Sequence, residues 1–197
     1  MAESAVYMPR PRLRRRGLLY ELIDTIVLIV SIYALADLAS VRFYVDGRSM
    51  QPNFYTGQRV IVSRVNYMLT EPERGEIIVF ESPDRPGIDA PLIKRVIGLP
   101  GEHVEIIESQ VFIDGQLLDE PYINDAIWRS SCRTDTEWDL NTGQYFVMGD
   151  NRNNSRDSRC FGPVEREHVI GEALVRYWPP QDIGLIYKLH YPEDPFE

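Results

Sequence analysis

Val111-Phe112-Ile113-Asp114-Gly115-Gln116-Leu117-Leu118 sets the fold class. Two short apolar runs flank Asp-Gly, a dipeptide that readily adopts the two positive φ angles of a tight hairpin turn, so the stretch reads as strand, turn, strand. Short β-branched or aromatic runs recur on both sides of it: Val41–Val45, Arg59–Arg64, Glu76–Glu81, Leu92–Ile97, His103–Ile107, Tyr145–Met148 and Glu172–Trp178. Turn residues such as Pro100-Gly101 separate them. Helical patterning after residue 41 is limited to a turn or two at Asn66–Leu69 and Glu165–Val169. The expectation is a mainly β domain, barrel-like or sandwich-like, over residues 41–197. Residues 124–141 show no clean period and read as an insertion or long loop on that core.

The N-terminus differs in kind. Residues 1–16 carry five arginines against one glutamate, although the whole chain of 197 residues has a net charge of −9. An apolar stretch follows, roughly Leu18 to Val41, with no charge between Thr25 and Ala36. About 20 helical residues span a bilayer core. A cleaved secretory signal would be shorter and end on small residues, and Ala36-Asp37-Leu38 makes a poor cleavage site. A buried soluble helix is the competing reading, kept open by Glu21, Asp24 and Asp37 near the ends. A membrane anchor fits best, because the arginines supply the cytoplasmic flank of the positive-inside rule. The expected organisation is a cytoplasmic basic segment at 1–17, a transmembrane anchor at 18–40, and a β-rich domain outside the cytoplasm at 41–197. The acidic balance argues against nucleic acid as a partner.

Three segments hold unusual polar chemistry. In Gly47-Arg48-Ser49-Met50-Gln51-Pro52-Asn53-Phe54, a serine sits on a turn that could present its hydroxyl and amide outward, although most turn serines only cap or solvate. In Leu92-Ile93-Lys94-Arg95-Val96-Ile97-Gly98-Leu99-Pro100-Gly101-Glu102, strand alternation places Lys94 with Leu92 and Val96 and turns Arg95 to the opposite face. A lysine buried among apolar neighbours loses hydration, its pKa falls, and it becomes a competent base. An edge-strand lysine reaching out to solvent is the plain alternative. The run Gly149 to Arg159 is almost wholly polar and reads either as a surface loop or as a self-bonded loop that positions something else. His103, His168 and His190 show no metal-ligand spacing, so neither a metal nor another cofactor is expected. Cys132 and Cys160 could pair if the domain lies outside the cytoplasm, and their spacing leaves this open.

Taken in order, these segments resemble type I signal peptidases, the membrane-anchored leader peptidases of bacteria. The resemblance rests on Gly-x-Ser49-Met50-x-Pro52, on Lys94-Arg95-Val-Ile-Gly-Leu-Pro100-Gly101-Glu102, and on Gly149-Asp150-Asn151-Arg152-x-Asn154-Ser155-x-Asp157-Ser158-Arg159 with Phe161-Gly162-Pro163-Val164 behind it. It covers roughly residues 18–178 and leaves 124–141 unmatched. It implies a signal-peptidase-like β fold with a serine–lysine dyad: Ser49 as nucleophile and Lys94 as general base. The Ser49 amide would help form the oxyanion hole, and Ser155 would hydrogen-bond the lysine amine. Asp150, Arg95, Asp157 and Arg159 would buttress the loop, and Met50 and Pro52 would line the substrate site. Some members carry a hydroxyl two residues before the nucleophile, where this chain has Gly47, and Asn153 replaces a common aspartate. The implied substrates are exported preproteins cut after small residues of the Ala-x-Ala type. The lipid bilayer is an implied partner and the secretion translocon a further candidate. A soluble self-cleaving repressor with the same dyad and a catalytically silent anchored β module are the rival readings.

Overall fold

The computed structural model describes residues 17–84, 87, 90–124, 132, 135–189 and 191. The arginine-rich segment 1–16 and residues 125–131 and 133–134 of the expected insertion lie outside the described residues. The chain divides into two units, residues 1–38 and 39–197.

The first unit holds α1 (Leu18–Ala39), 22 residues with a mean hydropathy of 2.1 in its most apolar window. At 1.5 Å per residue it is about 33 Å long, enough to cross a hydrocarbon core. None of its residues is buried.

The second unit is mainly β, as the alternation predicts. Its strands are β1 (Ser40–Tyr44), β2 (Arg59–Ser63), β3 (Ile77–Phe80), β4 (Leu92–Gly98), β5 (His103–Ile107), β6 (Gln110–Ile113), β7 (Gln116–Leu117), β8 (Glu137–Asp139), β9 (Gln144–Met148), β10 (Val164–Glu165), β11 (Val169–Trp178) and β12 (Gly184–Leu185). The larger sheet runs β1-β2-β11-β3-β4-β9-β10 with β12 beside β11, and the smaller runs β7-β6-β5-β8. All the pairings are antiparallel. The Asp114-Gly115 turn forms as the dipeptide requires: φ is 49° and 79° at the two residues, and Ile113 pairs with Gln116. Two short helices, α2 (Asn66–Leu69) and α3 (Ser158–Phe161), interrupt the strands.

Period-2 alternation divides the apolar residues between faces. Ile77 and Val79 join Val45, Met50, Phe54, Val60, Val62, Ile93 and Ala173 in one cluster. Ile78 and Phe80 join Val96, Tyr145 and Val147 in another, while Phe146 and Met148 pack with Val104, Val111 and Ile113 of the smaller sheet. Strand β4 therefore has both faces covered; only Leu92 at its start is more than slightly exposed. The expected loop over 124–141 is corrected at its end, where Glu137–Asp139 pair with β5 and the Trp138 ring lies 4.6 Å from that of Phe146. Cys132 and Cys160 are joined by a disulfide, with Cα atoms 4.8 Å apart.

Candidate active site

The lysine strand lies between β3 and β9, so Lys94 is central, opposite Ile78, and not on an edge. Its side chain is enclosed, with the residue 3% exposed. The Nζ donates to Ser49 Oγ at 2.8 Å and to the Ile93 carbonyl at 2.8 Å. Burial lowers its pKa from 10.5 to about 8, while Asp157 and Asp150 pull it back upward.

Ser49 sits on the turn between β1 and β2. Met50, 2% exposed, and Phe54 anchor this turn in the core, and the Phe54 amide donates to the Met50 carbonyl at 2.8 Å. Met50 thus forms the floor of the turn rather than an open surface, whereas Pro52 is half-buried. Thr56 braces Gly47 from both sides: its hydroxyl donates to the Gly47 carbonyl at 2.8 Å and accepts from the Gly47 amide at 3.0 Å.

The polar run after β9 closes over this turn. The Asn151 amide donates to the Ser49 carbonyl at 3.0 Å, and Asn151 Nδ2 donates to the Arg48 carbonyl at 3.1 Å. The approach is close enough to require glycine at 149: a Cβ there would lie 2.2 Å from Ser155 Oγ and 2.4 Å from the Ser49 carbonyl oxygen. Two buried ion pairs hold the loop. Arg95 forks onto Asp150 with both bonds at 2.8 Å, and Arg159 forks onto Asp157 at 2.8 and 2.7 Å. Arg95 is on the opposite face from Lys94 but is buried too, 4% exposed, because β4 is covered on both sides. Burial alone would raise the Asp157 carboxyl; the Arg159 fork and the Gly149 amide, which donates to it at 3.0 Å, hold it below the usual carboxylate range. Asp157 also caps α3, taking the Arg159 amide at 3.3 Å.

Ser155 differs from what the resemblance implies. Its Oγ is buried against Gly149 and meets no partner in hydrogen-bonding geometry, the amine included, although it lies near enough to Asp157 to help keep that carboxyl ionised.

The structure also adds residues that the sequence did not point to. Asn53 Nδ2 donates to Asp150 at 2.8 Å and to the Tyr122 carbonyl at 3.0 Å. The Tyr122 ring lies under the Arg95 guanidinium at 4.1 Å, and Glu120 pairs with the fully enclosed Arg152. Asn53 and Arg152 fall within quoted motifs; Glu120 and Tyr122 follow the hairpin with no polar density to mark them. On the smaller sheet, ligand atoms of His103, Glu105 and Glu137 lie within 4.8 Å of one another, with His103 and Glu105 half-buried and Glu137 exposed, a grouping of acids of a kind common without a metal.

A buried amine in contact with a turn hydroxyl can take its proton when neutral, and here the pair sits on a β scaffold that follows an apolar helix. Residues 19–178 match the signal peptidase, peptidase S26 family, and the chain belongs to it. It is 39% identical over 148 residues to a probable signal peptidase I-2 of Synechocystis, a match covering 73% of this chain and 65% of that relative. It is 39% identical to a signal peptidase I of Leptolyngbya laminosa, covering 72% of this chain and 70% of the relative. A signal peptidase IB of Staphylococcus aureus is 30% identical over 179 residues, covering 84% and 92%. The crystal structure of a signal peptidase I from Enterococcus faecalis is 34% identical and covers 52% of this chain and 97% of its own, with a TM-score of 0.43.

Proposed function

We propose that this chain removes N-terminal signal peptides from exported preproteins, cutting after small residues of the Ala-x-Ala type, with Ser49 as nucleophile and Lys94 as general base. The observation that carries the reading is the 2.8 Å contact between a fully enclosed amine and the Ser49 hydroxyl. With a pKa of about 8, an appreciable fraction of that amine is neutral near pH 7.5. The neutral Nζ accepts the Ser49 proton as Oγ attacks the scissile carbonyl carbon. The Ser49 amide, which no protein acceptor takes among the described residues, is free to donate to the oxyanion. The protonated Lys94 then returns its proton to the leaving amine, which departs as the new N-terminus. A water loses its proton to Lys94 and attacks the acyl-enzyme; the peptide acid departs as Lys94 returns that proton to Ser49 Oγ. Asp150 with Arg95 and Asp157 with Arg159 hold the loop against the nucleophile turn. In this reading Ser155 serves to orient the amine, and Pro52 offers a surface to substrate.

In the same reading α1 spans the cytoplasmic membrane once, with 1–17 in the cytoplasm and 41–197 outside. The disulfide supports this orientation, because such bonds persist in oxidising compartments. An anchor also keeps enzyme and membrane-tethered precursor in one layer, raising their effective concentration. The test is precursor cleavage by the full chain in detergent. Ser49→Ala should lower it by about 10³-fold or more, and wild-type rates in that variant would refute the assignment. Protease added outside intact cells with an opened envelope should digest the β domain; protection of the whole chain would refute the orientation.

A further inference from the structure

Resting on that reading of the dyad, we propose that Glu120 is a positioning residue for the reaction, acting on Ser49 through Arg152. Glu120 lies just past the hairpin that ends in β7, distant in sequence from both dyad residues. Its carboxylate is 7% exposed and takes three bonds: Arg152 Nη1 at 2.9 Å, Arg152 Nη2, and the Tyr122 hydroxyl at 2.8 Å. Arg152 itself is 1% exposed, and among the carboxylates that favour its charge Glu120 ranks first, ahead of Asp157.

What Arg152 does with its remaining groups connects it to the nucleophile. Its Nε donates to the Gly149 carbonyl at 3.1 Å, and its own carbonyl accepts from Arg159 Nη1 at 3.0 Å. Gly149 is the residue pressed against the Ser49 carbonyl, and its amide is held by Asp157. The neighbouring Asn151 amide bonds Ser49 directly. Glu120 thus fixes the guanidinium that pins the 149–151 turn, and that turn fixes the nucleophile backbone. Two residues on, Tyr122 meets the other arm of the site, with its ring under Arg95 and its carbonyl taking Asn53. The Glu120–Tyr122 segment is joined to both ion-paired arms that set the hydroxyl against the amine. Reactions of this kind lose rate steeply when reacting groups move by fractions of an ångström.

The test is the full-length enzyme in detergent acting on an internally quenched peptide with an Ala-x-Ala junction. Glu120→Gln keeps the shape and one acceptor oxygen but removes the carboxylate charge that pairs directly with Arg152. It should lower kcat by about 30-fold and leave KM within about twofold, since no substrate contact changes. Asn151→Ala removes the Nδ2 bond to Arg48 and loosens the same turn. The double variant should therefore lose much less than the product of the two single losses, because both act through one element. A merely structural Glu120 would lower Tm and leave kcat per folded molecule unchanged. Glu120→Asp, which keeps the charge on a shorter arm, should fold and show an intermediate kcat. Wild-type kcat in both Glu120 variants, or losses that multiply independently in the double variant, would overturn the proposal while leaving the dyad standing. A wild-type enzyme that left the peptide intact would overturn the dyad reading and this proposal together.

Discussion

Replacing Lys94 with methionine measures the state of the amine without reference to catalysis. The folded protein holds this group at about 8, against 10.5 ordinarily, and the first cause is burial. At ~1.4 kcal/mol per pH unit, keeping the amine enclosed costs the wild type about 3 kcal/mol at pH 7, where the unfolded chain is protonated. The sign follows from proton counting. Between pH 8 and 10.5 the unfolded chain binds more protons at this group than the folded one, so the group's contribution to wild-type stability rises with pH. By pH 10 the folded amine is neutral and the remaining cost is under about 1 kcal/mol. Methionine fills similar space and does not titrate. The bonds it forfeits, to Ser49 Oγ and the Ile93 carbonyl, enter as an offset common to both pH values to first order. The stability of Lys94→Met relative to wild type should therefore fall by about 2–3 kcal/mol from pH 7 to pH 10. Urea unfolding of the full chain in detergent, followed by tryptophan fluorescence, reads this difference. A gap that stayed constant within about 0.5 kcal/mol would mean that the amine is not held near 8 and that the neutral-base argument loses its footing.

The same amine predicts that Lys94→Arg is as inactive as Lys94→Ala, since a guanidinium keeps its proton throughout this range. The acid limb of the wild-type kcat profile should rise with pH through about 8, as the amine loses its proton. Gly149→Ala should cost about 1–3 kcal/mol of stability and at least tenfold in kcat, because the atoms its Cβ would meet include the Ser49 backbone oxygen, which cannot swing aside; thermal unfolding and peptide turnover check both. Reduction of the Cys132–Cys160 disulfide, which closes a 28-residue separation, should remove about 3–4 kcal/mol, visible as a lowered Tm in reductant.

Strands of four or more residues were legible because side-chain period and turn chemistry are local properties, and Asp114-Gly115 shows this most directly. Strand β8 was not, since Glu137-Trp138-Asp139 offers one apolar residue between two acids. It becomes a strand by pairing with β5 and by packing Trp138 on Phe146, partners that only the folded chain supplies. Lys94 shows the same limit at the site. Alternation places it among apolar neighbours, but local sequence carries no strand order, and it is β9 on its other side that excludes a solvent-reaching edge lysine. Glu120 and Tyr122 carried no signal, because their burial and their arginine partners come entirely from residues brought together by folding. The resemblance supplied the implied partner for Ser155 but could not supply a rotamer, and the hydroxyl stands apart from the amine.

The arrangement also resolves an electrostatic difficulty that the motif alone does not expose. Lys94 lies in reach of two buried carboxylates, and each favours the protonated amine. Unpaired, Asp150 and Asp157 would return the lysine toward its ordinary pKa and remove the base. Each is instead forked by a buried arginine, Arg95 on the lysine's own strand and Arg159 two residues beyond Asp157. The forks spread the carboxylate charge over a neutral pair, so burial remains the larger influence on the amine. These ion pairs therefore do more than hold a loop in place. They allow a polar, rigid enclosure to surround a lysine whose pKa is still lowered by burial, which an apolar pocket of the same shape would achieve only by giving up the hydrogen bonds that fix Ser49.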